Sequence, residues 1–145
     1  MDLETVSTGH LITTAARVIL RRYETRQRAL GVTPPRSGIL LLLNMVGSLS
    51  QKEIAAHLFL DKTNLSTLIR DMARDKLVTI ETSPEDRRVR VVCIAPAGNK
   101  LLSDLQRINH ELSAELDSRV SRRTGRALRA FFADLLIDEF SDNPD

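Results

Sequence analysis

The sequence holds a single cysteine, Cys93, no tryptophan, one tyrosine and only 3% aromatic residues. One cysteine cannot close an internal disulfide, which agrees with a reducing compartment. So few aromatics exclude the rows of stacking platforms that single-strand nucleic-acid binders use, so a nucleic-acid partner would be duplex. Long apolar runs are missing too: Ile39 to Leu43 falls far short of the roughly 18 residues a membrane-spanning helix needs. The opening stretch MDLETVSTGH lacks the basic, apolar, small-residue order of a signal peptide, and the expected location is the cytoplasm, with no membrane partner. Nor is there a large excess of one charge. Lysine and arginine number 21 against 19 acidic residues, and a net charge of +2 attracts an anionic partner only mildly. His10, His57 and His110 lie on separate predicted helices with no second His or Cys three or four residues away, so zinc-ligand spacing is absent and no metal is expected. A Gly-rich phosphate loop, a G-x-S-x-G elbow and a paired-carboxylate setting are also missing. No catalytic residue is assigned and an enzyme is not expected.

What is present is helical periodicity. At 145 residues, 42% of them hydrophobic, the chain can build one domain with a substantial core. From about Val6 to Leu30, apolar residues at Leu11, Ile12, Ala15, Val18, Ile19 and Tyr23 predict an amphipathic helix. Its polar side carries Arg17, Arg21, Arg22, Arg26 and Arg28, read as a solvated face. Gly31 should end this helix, with Thr33 capping the next and Pro34 opening it. That second helix, ILLLLNMV, reads as apolar all round and buried.

The stretch QKEIAAHLFLDKTNLSTLIR, Gln51 to Arg70, carries two helix-start signals in succession. Ser50 and Glu53 form an S-x-x-E capping box, and Asp61 is placed to cap a further helix running to about Asp75. Two short helices meeting at a sharp turn make a helix-turn-helix. Phe59 falls at the turn, where such motifs often need positive φ; the expectation is that the turn avoids it and that the ring packs on the flanking helices.

Beyond Lys76 the period changes from helical to alternating. LVTIE, SPEDRR and VRVVCI predict strand, turn and strand, so a β-hairpin of about 18 residues follows the helix-turn-helix and makes it a winged helix. From Pro96, Leu101, Leu105, Ile108, Leu112 and Leu116 form one stripe, and a last helix from about Arg122 to Phe140 shows Leu128, Phe131, Phe132, Leu135, Leu136 and Phe140. The tail SDNPD should fray. The expected fold is mainly α with a small β-hairpin wing. It is one domain, 1–145, in which a 1–32 helix and 96–145 helices serve dimerisation and 33–95 forms the winged helix-turn-helix lobe. The flanking stripes exceed what so small a lobe can cover, so a second copy should meet them.

On the fourth helix, Leu65, Leu68, Ile69 and Met72 should point inward, leaving Lys62, Thr63, Asn64, Ser66, Thr67 and Arg70 toward solvent. This face suits a major groove. Asn can pair with adenine, Thr can offer a methyl to thymine, and Lys can meet guanine or phosphate. Cys93, among Val91, Val92 and Ile94, is expected buried and inert.

The series LGVTPPRSGILLLL, LSQKEIAAHLFLDKTNLSTLIRDMARDKLV and SPEDRRVRVVCIAPAG resembles the MarR family of bacterial transcriptional regulators over about Leu30 to Gly98. The resemblance implies a homodimer with interlocked terminal helices whose two winged helices face a palindromic operator. It implies a repressor released by a small aromatic or lipophilic effector or by thiol oxidation. It places the groove-inserting arginine at Arg88 and the aspartate that holds it at Asp86; Arg87 and Arg90 are assigned to phosphates. A guanidinium at a hairpin tip suits the narrow, electronegative minor groove. Departures are Lys76 where the family has Gly, Glu81 where basic residues often stand, and Ala95 where a capping Thr is usual. Alternatives left open are a transcriptional activator, a winged-helix protein-interaction module without DNA binding, and a redox sensor acting through Cys93.

Overall fold

The computed structural model describes the backbone of residues 3–141 and the side chains of residues 4–137; Phe140 as part of the last apolar stripe, and the tail after Ser141, lie outside them. Helix α1, Thr8–Gln27, starts where the Ser7 hydroxyl accepts from the His10 N–H at 3.4 Å. It tightens into a 3₁₀ turn over Arg28–Leu30 and stops at Gly31, whose φ of +68° a residue with Cβ rarely adopts. Helix α2, Pro34–Val46, then runs off at 82° to α1.

Thr33 precedes α2 but makes no side-chain cap. Capping needs the N–H of the second or third helical residue, and Pro34 and Pro35 remove the first two donors. The all-round burial expected for α2 holds in its middle, where Ile39 and Leu40 are fully enclosed, and fails at its end, where Met45 is 76% exposed.

Strand β1, Leu49–Ser50, was not foreseen and leads directly into α3, Gln51–Leu58. The capping box is complete: the Ser50 hydroxyl accepts from the Glu53 N–H at 3.2 Å and the Glu53 carboxylate from the Ser50 N–H at 2.7 Å. Helix α4, Lys62–Arg74, is followed by β2, Val78–Thr82, and β3, Arg90–Ile94. The three strands form one antiparallel sheet in the order β1-β3-β2, with Val92 opposite both Leu49 and Ile80. Val91 and Val92 on the central β3 are both buried, against simple alternation.

Helix α5, Pro96–Asp117, opens on Ala95, which makes no side-chain cap, and α6, Arg122–Ser141, closes the chain. The core joins Leu40, Ile54, Leu65, Ile69, Val92 and Leu105, so the helix-turn-helix, the wing and α5 share one interior. Gly98 seats α5 on the wing base: a Cβ there would stand 2.2 Å from the Leu77 carbonyl oxygen. Helix α5 is also clamped to α1. Arg22 and Arg26, expected on a solvated face, instead pair with Glu115 at 2.5 Å each, and Arg119 joins at 3.3 Å. The hydrogen bond from Arg26 foremost, then the neighbouring guanidinium charges, hold the Glu115 carboxyl below the usual carboxylate range.

The turn between α3 and α4 contradicts the expectation for Phe59. Its φ and ψ are 51° and 43°, left-handed, and its side chain is half exposed. The reason is the hydrogen-bond pattern that ends α3: the Leu60 N–H donates to Ala55 at 3.0 Å and the Phe59 N–H to Ala56 at 3.4 Å. That closure is a Schellman motif, and it requires a left-handed residue whatever side chain occupies it. The same closure ends α4, where Lys76 has φ of +60° and the Leu77 N–H reaches the Met72 carbonyl at 2.9 Å. For residues with Cβ this conformation costs about 1–2 kcal/mol.

Candidate nucleic-acid interface

Helix α4 meets the core through Leu65, Ile69 and Met72, with Leu68 half-buried. The helical repeat then turns Lys62, Thr63, Asn64, Thr67 and Arg70 outward, while Ser66 is half-buried rather than open. The N-terminal end of the helix is capped by Asp61, whose carboxylate accepts from the N–H groups of Thr63 at 2.8 Å and Asn64 at 3.1 Å. This cap holds the first turn in register, so the side chains of Thr63 and Asn64 project from a fixed backbone.

The wing tip is equally organised. Ser83, which is buried, accepts through its hydroxyl from the N–H groups of Glu85 at 3.2 Å and Asp86 at 3.4 Å. The Ser83 N–H donates to the Val89 carbonyl at 2.8 Å and closes the loop. Asp86 accepts from the main-chain N–H of Arg88 at 2.9 Å. It therefore orders the backbone that carries Arg88. Arg87 and Arg88 both stand in solvent at this tip. Arg90, also exposed, donates back to the Ile80 carbonyl at 3.0 Å, which braces the hairpin.

Ser83 was missed in the sequence. The signal was a serine two residues before Glu85, the spacing of a side chain that folds its own turn. Glu81 accepts from the Thr79 hydroxyl at 2.7 Å. Cys93 is half-buried rather than buried; desolvation first, then the Glu81 carboxylate, push its thiol above the ordinary range, against a hydrogen bond with Ser48.

A capped, outward-facing second helix followed by a hairpin with two arginines at its tip is the arrangement of a winged helix-turn-helix. The MarR family model matches residues 30–89, which span the end of α1 to the wing tip. Over those residues the chain is similar to the MarR family.

A curated relative, the HTH-type transcriptional repressor IacR of Pseudomonas putida, is 33% identical over 78 residues, 54% of this chain and 47% of that protein. The chain thus spans about half the length of the curated relative it matches. Among solved structures, the S. aureus MepR–DNA complex superposes with a TM-score of 0.82 at 20% identity, covering 92% of this chain and 98% of that one. A structure of Bordetella bronchiseptica BpsR, described as showing how 6-hydroxynicotinic acid regulates its DNA binding, gives 0.77 at 17% identity, covering 88% and 96%. At these identities the superpositions bear on the fold: a MarR-type winged helix with long terminal helices. Within that frame, the MarR glycine before the wing is the left-handed residue ending α4, here Lys76.

Away from the lobe, a groove of about 360 Å³ lies between α1 and the end of α5, walled by Val6, Leu11, Ala15, Val18, Ile19 and Leu116. Leu20 on α1 and Phe131, Phe132, Leu135 and Leu136 on α6 are also exposed.

Proposed function

We propose that this chain is a transcriptional regulator that binds duplex operator DNA as a homodimer, acting as a repressor released by a small aromatic or lipophilic effector. Helix α4 enters the major groove through Lys62, Thr63, Asn64, Ser66, Thr67 and Arg70. Arg88 enters the adjacent minor groove from a tip ordered by Asp86, while Arg87 and Arg90 lie along phosphates. The observation that carries this reading is the pairing of two preorganised elements on one lobe: a helix N-terminus fixed by Asp61 and an arginine tip ordered by Ser83 and Asp86. Order before binding lowers the entropic cost of association.

The homodimer is supported by the exposed apolar stripes of α1 and α6. Val18 is 45% and Phe131 44% exposed, too much apolar surface for helices that face water alone. A second copy covers these stripes and the α1/α5 groove. Repression is supported by the description of IacR, DNA binding by the MepR complex and an aromatic effector by the acid acting on BpsR.

Fluorescence anisotropy on duplex taken from upstream of the protein's own gene tests the reading. Binding should fall steeply with salt, since each neutralised phosphate lowers log K by about 0.9 per decade. Protected half-sites should lie about one duplex turn apart. Arg88→Ala should weaken binding without altering the thermal melt. Normal affinity in that variant would refute the wing assignment, and a monomer in sedimentation would refute the dimer.

A further inference from the structure

We propose that the groove between α1 and the end of α5 is the effector site, and that its effector is a linear long-chain fatty carboxylate. The inference rests on the reading above of a regulator released by a small effector, and it adds a place and a chemical class. Shape supplies the first argument. The α1 wall is lined turn after turn by Leu11, Ala15, Val18 and Ile19 and ends at Arg22. From Leu11 to Arg22 the helix rises about 16 Å at about 1.5 Å per residue. Val6, just before α1, carries the wall further.

A volume of about 360 Å³ spread along that length is a slot, which suits an extended alkyl chain. Apart from His10 and Thr14, the side chains along it before Arg22 are apolar. Each methylene that such walls take from water raises affinity about threefold to fourfold. The second copy that covers the groove would roof the chain.

Charge supplies the second argument. Arg22 and Arg119 both line the groove. Together with Arg26, one helical turn beyond Arg22, they share a single carboxylate, that of Glu115. Three guanidiniums against one carboxylate leave the cluster positive, and the Nη1 of Arg26 is buried with no hydrogen-bond partner among the described residues. Arg22 and Arg119 remain partly open to solvent beside the slot. A carboxylate arriving at the end of an alkyl chain would meet these two guanidiniums through charge-assisted hydrogen bonds, which are about twice as strong as neutral ones. A neutral chain of the same length would forgo them.

Isothermal titration calorimetry of the whole protein with tetradecanoate, hexanoate and tetradecanol tests the assignment in wild type, Arg22→Gln and Arg119→Gln. Arg22 also ties α1 to α5, so the more exposed Arg119 gives the variant that spares the fold, and thermal melts are recorded for both. Tetradecanoate should bind wild type at least about tenfold more tightly than hexanoate or tetradecanol, the scale of one charged hydrogen bond. Each variant should lose about tenfold for tetradecanoate and nothing for tetradecanol. In anisotropy titrations tetradecanoate should weaken duplex binding by wild type, and both variants should need more of it for the same effect. Absence of tetradecanoate binding, as when a helix of the second copy fills the groove, or binding indifferent to both arginines, overturns the assignment while operator binding stands. Binding that leaves duplex affinity unchanged overturns the effector role. If the wild type prefers no duplex over random sequence, the operator reading fails, and the calorimetry still decides whether the groove takes a fatty carboxylate.

Discussion

Replacing Gly98 by alanine should destabilise the fold by about 2–3 kcal/mol, although the same change in the middle of an open helix is favourable. The added Cβ would stand 2.2 Å from the Leu77 carbonyl oxygen, 3.0 Å from an Ile94 methyl and 3.1 Å from a Leu40 methyl. The first neighbour is backbone and cannot swing aside. That carbonyl also accepts from the Ala95 N–H at 3.0 Å, the bond that ties the start of α5 to the residue before β2. Separating the atoms to ordinary contact means lifting α5 by about an ångström. Overpacking of this kind costs about 1–3 kcal/mol, the loosened hydrogen bond adds about 1 kcal/mol, and alanine's better helix propensity returns at most about 1 kcal/mol.

Gly38, inside α2, is the internal comparison, since a Cβ there meets nothing within 4 Å. Gly38→Ala should therefore stabilise by up to about 1 kcal/mol. Thermal unfolding followed by circular dichroism, at one fixed protein concentration, reads both variants, because the midpoint of any associating protein depends on concentration. At about 4 °C per kcal/mol for a chain of this size, Gly98→Ala should melt roughly 8–12 °C below wild type and Gly38→Ala slightly above it. Equal shifts in the two variants, or a Gly98→Ala protein that melts like wild type, would refute the close seating of α5 on the wing base.

Two further predictions come from titrating groups. A hydrogen bond with the Ser50 side chain, then the Ser50 backbone, holds the Glu53 carboxyl below its ordinary value. A depressed folded-state pKa contributes stability that is present above the ordinary carboxylate range and lost as pH falls through the folded value. The stability gap between wild type and Glu53→Gln, measured by urea unfolding, should therefore be small, positive at neutral pH and gone in acid; a gap that widens in acid would contradict the capping box. Because desolvation and Glu81 push the Cys93 thiol up, its alkylation by iodoacetamide at pH 8, followed by mass spectrometry, should be slower than that of the urea-unfolded chain and faster in Glu81→Gln. A folded-state rate equal to the unfolded one would remove any protection of this thiol.

The elements that were legible in the sequence are those in which a residue serves its own neighbourhood. Ser50 with Glu53, and Asp61, lie within three residues of the donors they satisfy, so spacing alone placed the starts of α3 and α4. The outward face of α4 followed from its period, and the two wing strands from theirs. What was illegible depends on segments far apart in the chain. Strand β1 is two residues long and exists because Val91 and Val92 stand opposite it, some forty residues on. The Arg22 and Arg26 pairs with Glu115 join α1 to α5, and no helical spacing could separate them from solvated arginines.

Phe59 and Lys76 are a third kind of case. The expectation from residue preference was against positive φ at Phe59, yet the closure of each helix imposed it, because the carbonyls of Ala55 and Met72 take the N–H groups of Leu60 and Leu77. The chain must turn there to bring α4 onto α3, and β2 onto β3, over a shared core of Ile54, Leu65 and Val92. Burial of that core outweighs the roughly 1–2 kcal/mol of each left-handed residue. Where backbone geometry is dictated by tertiary closure, conformational preference no longer decides which side chain stands on it. At the end of α4 it is a cation at the foot of the wing, and at the end of α3 an aromatic ring shortly before the start of α4.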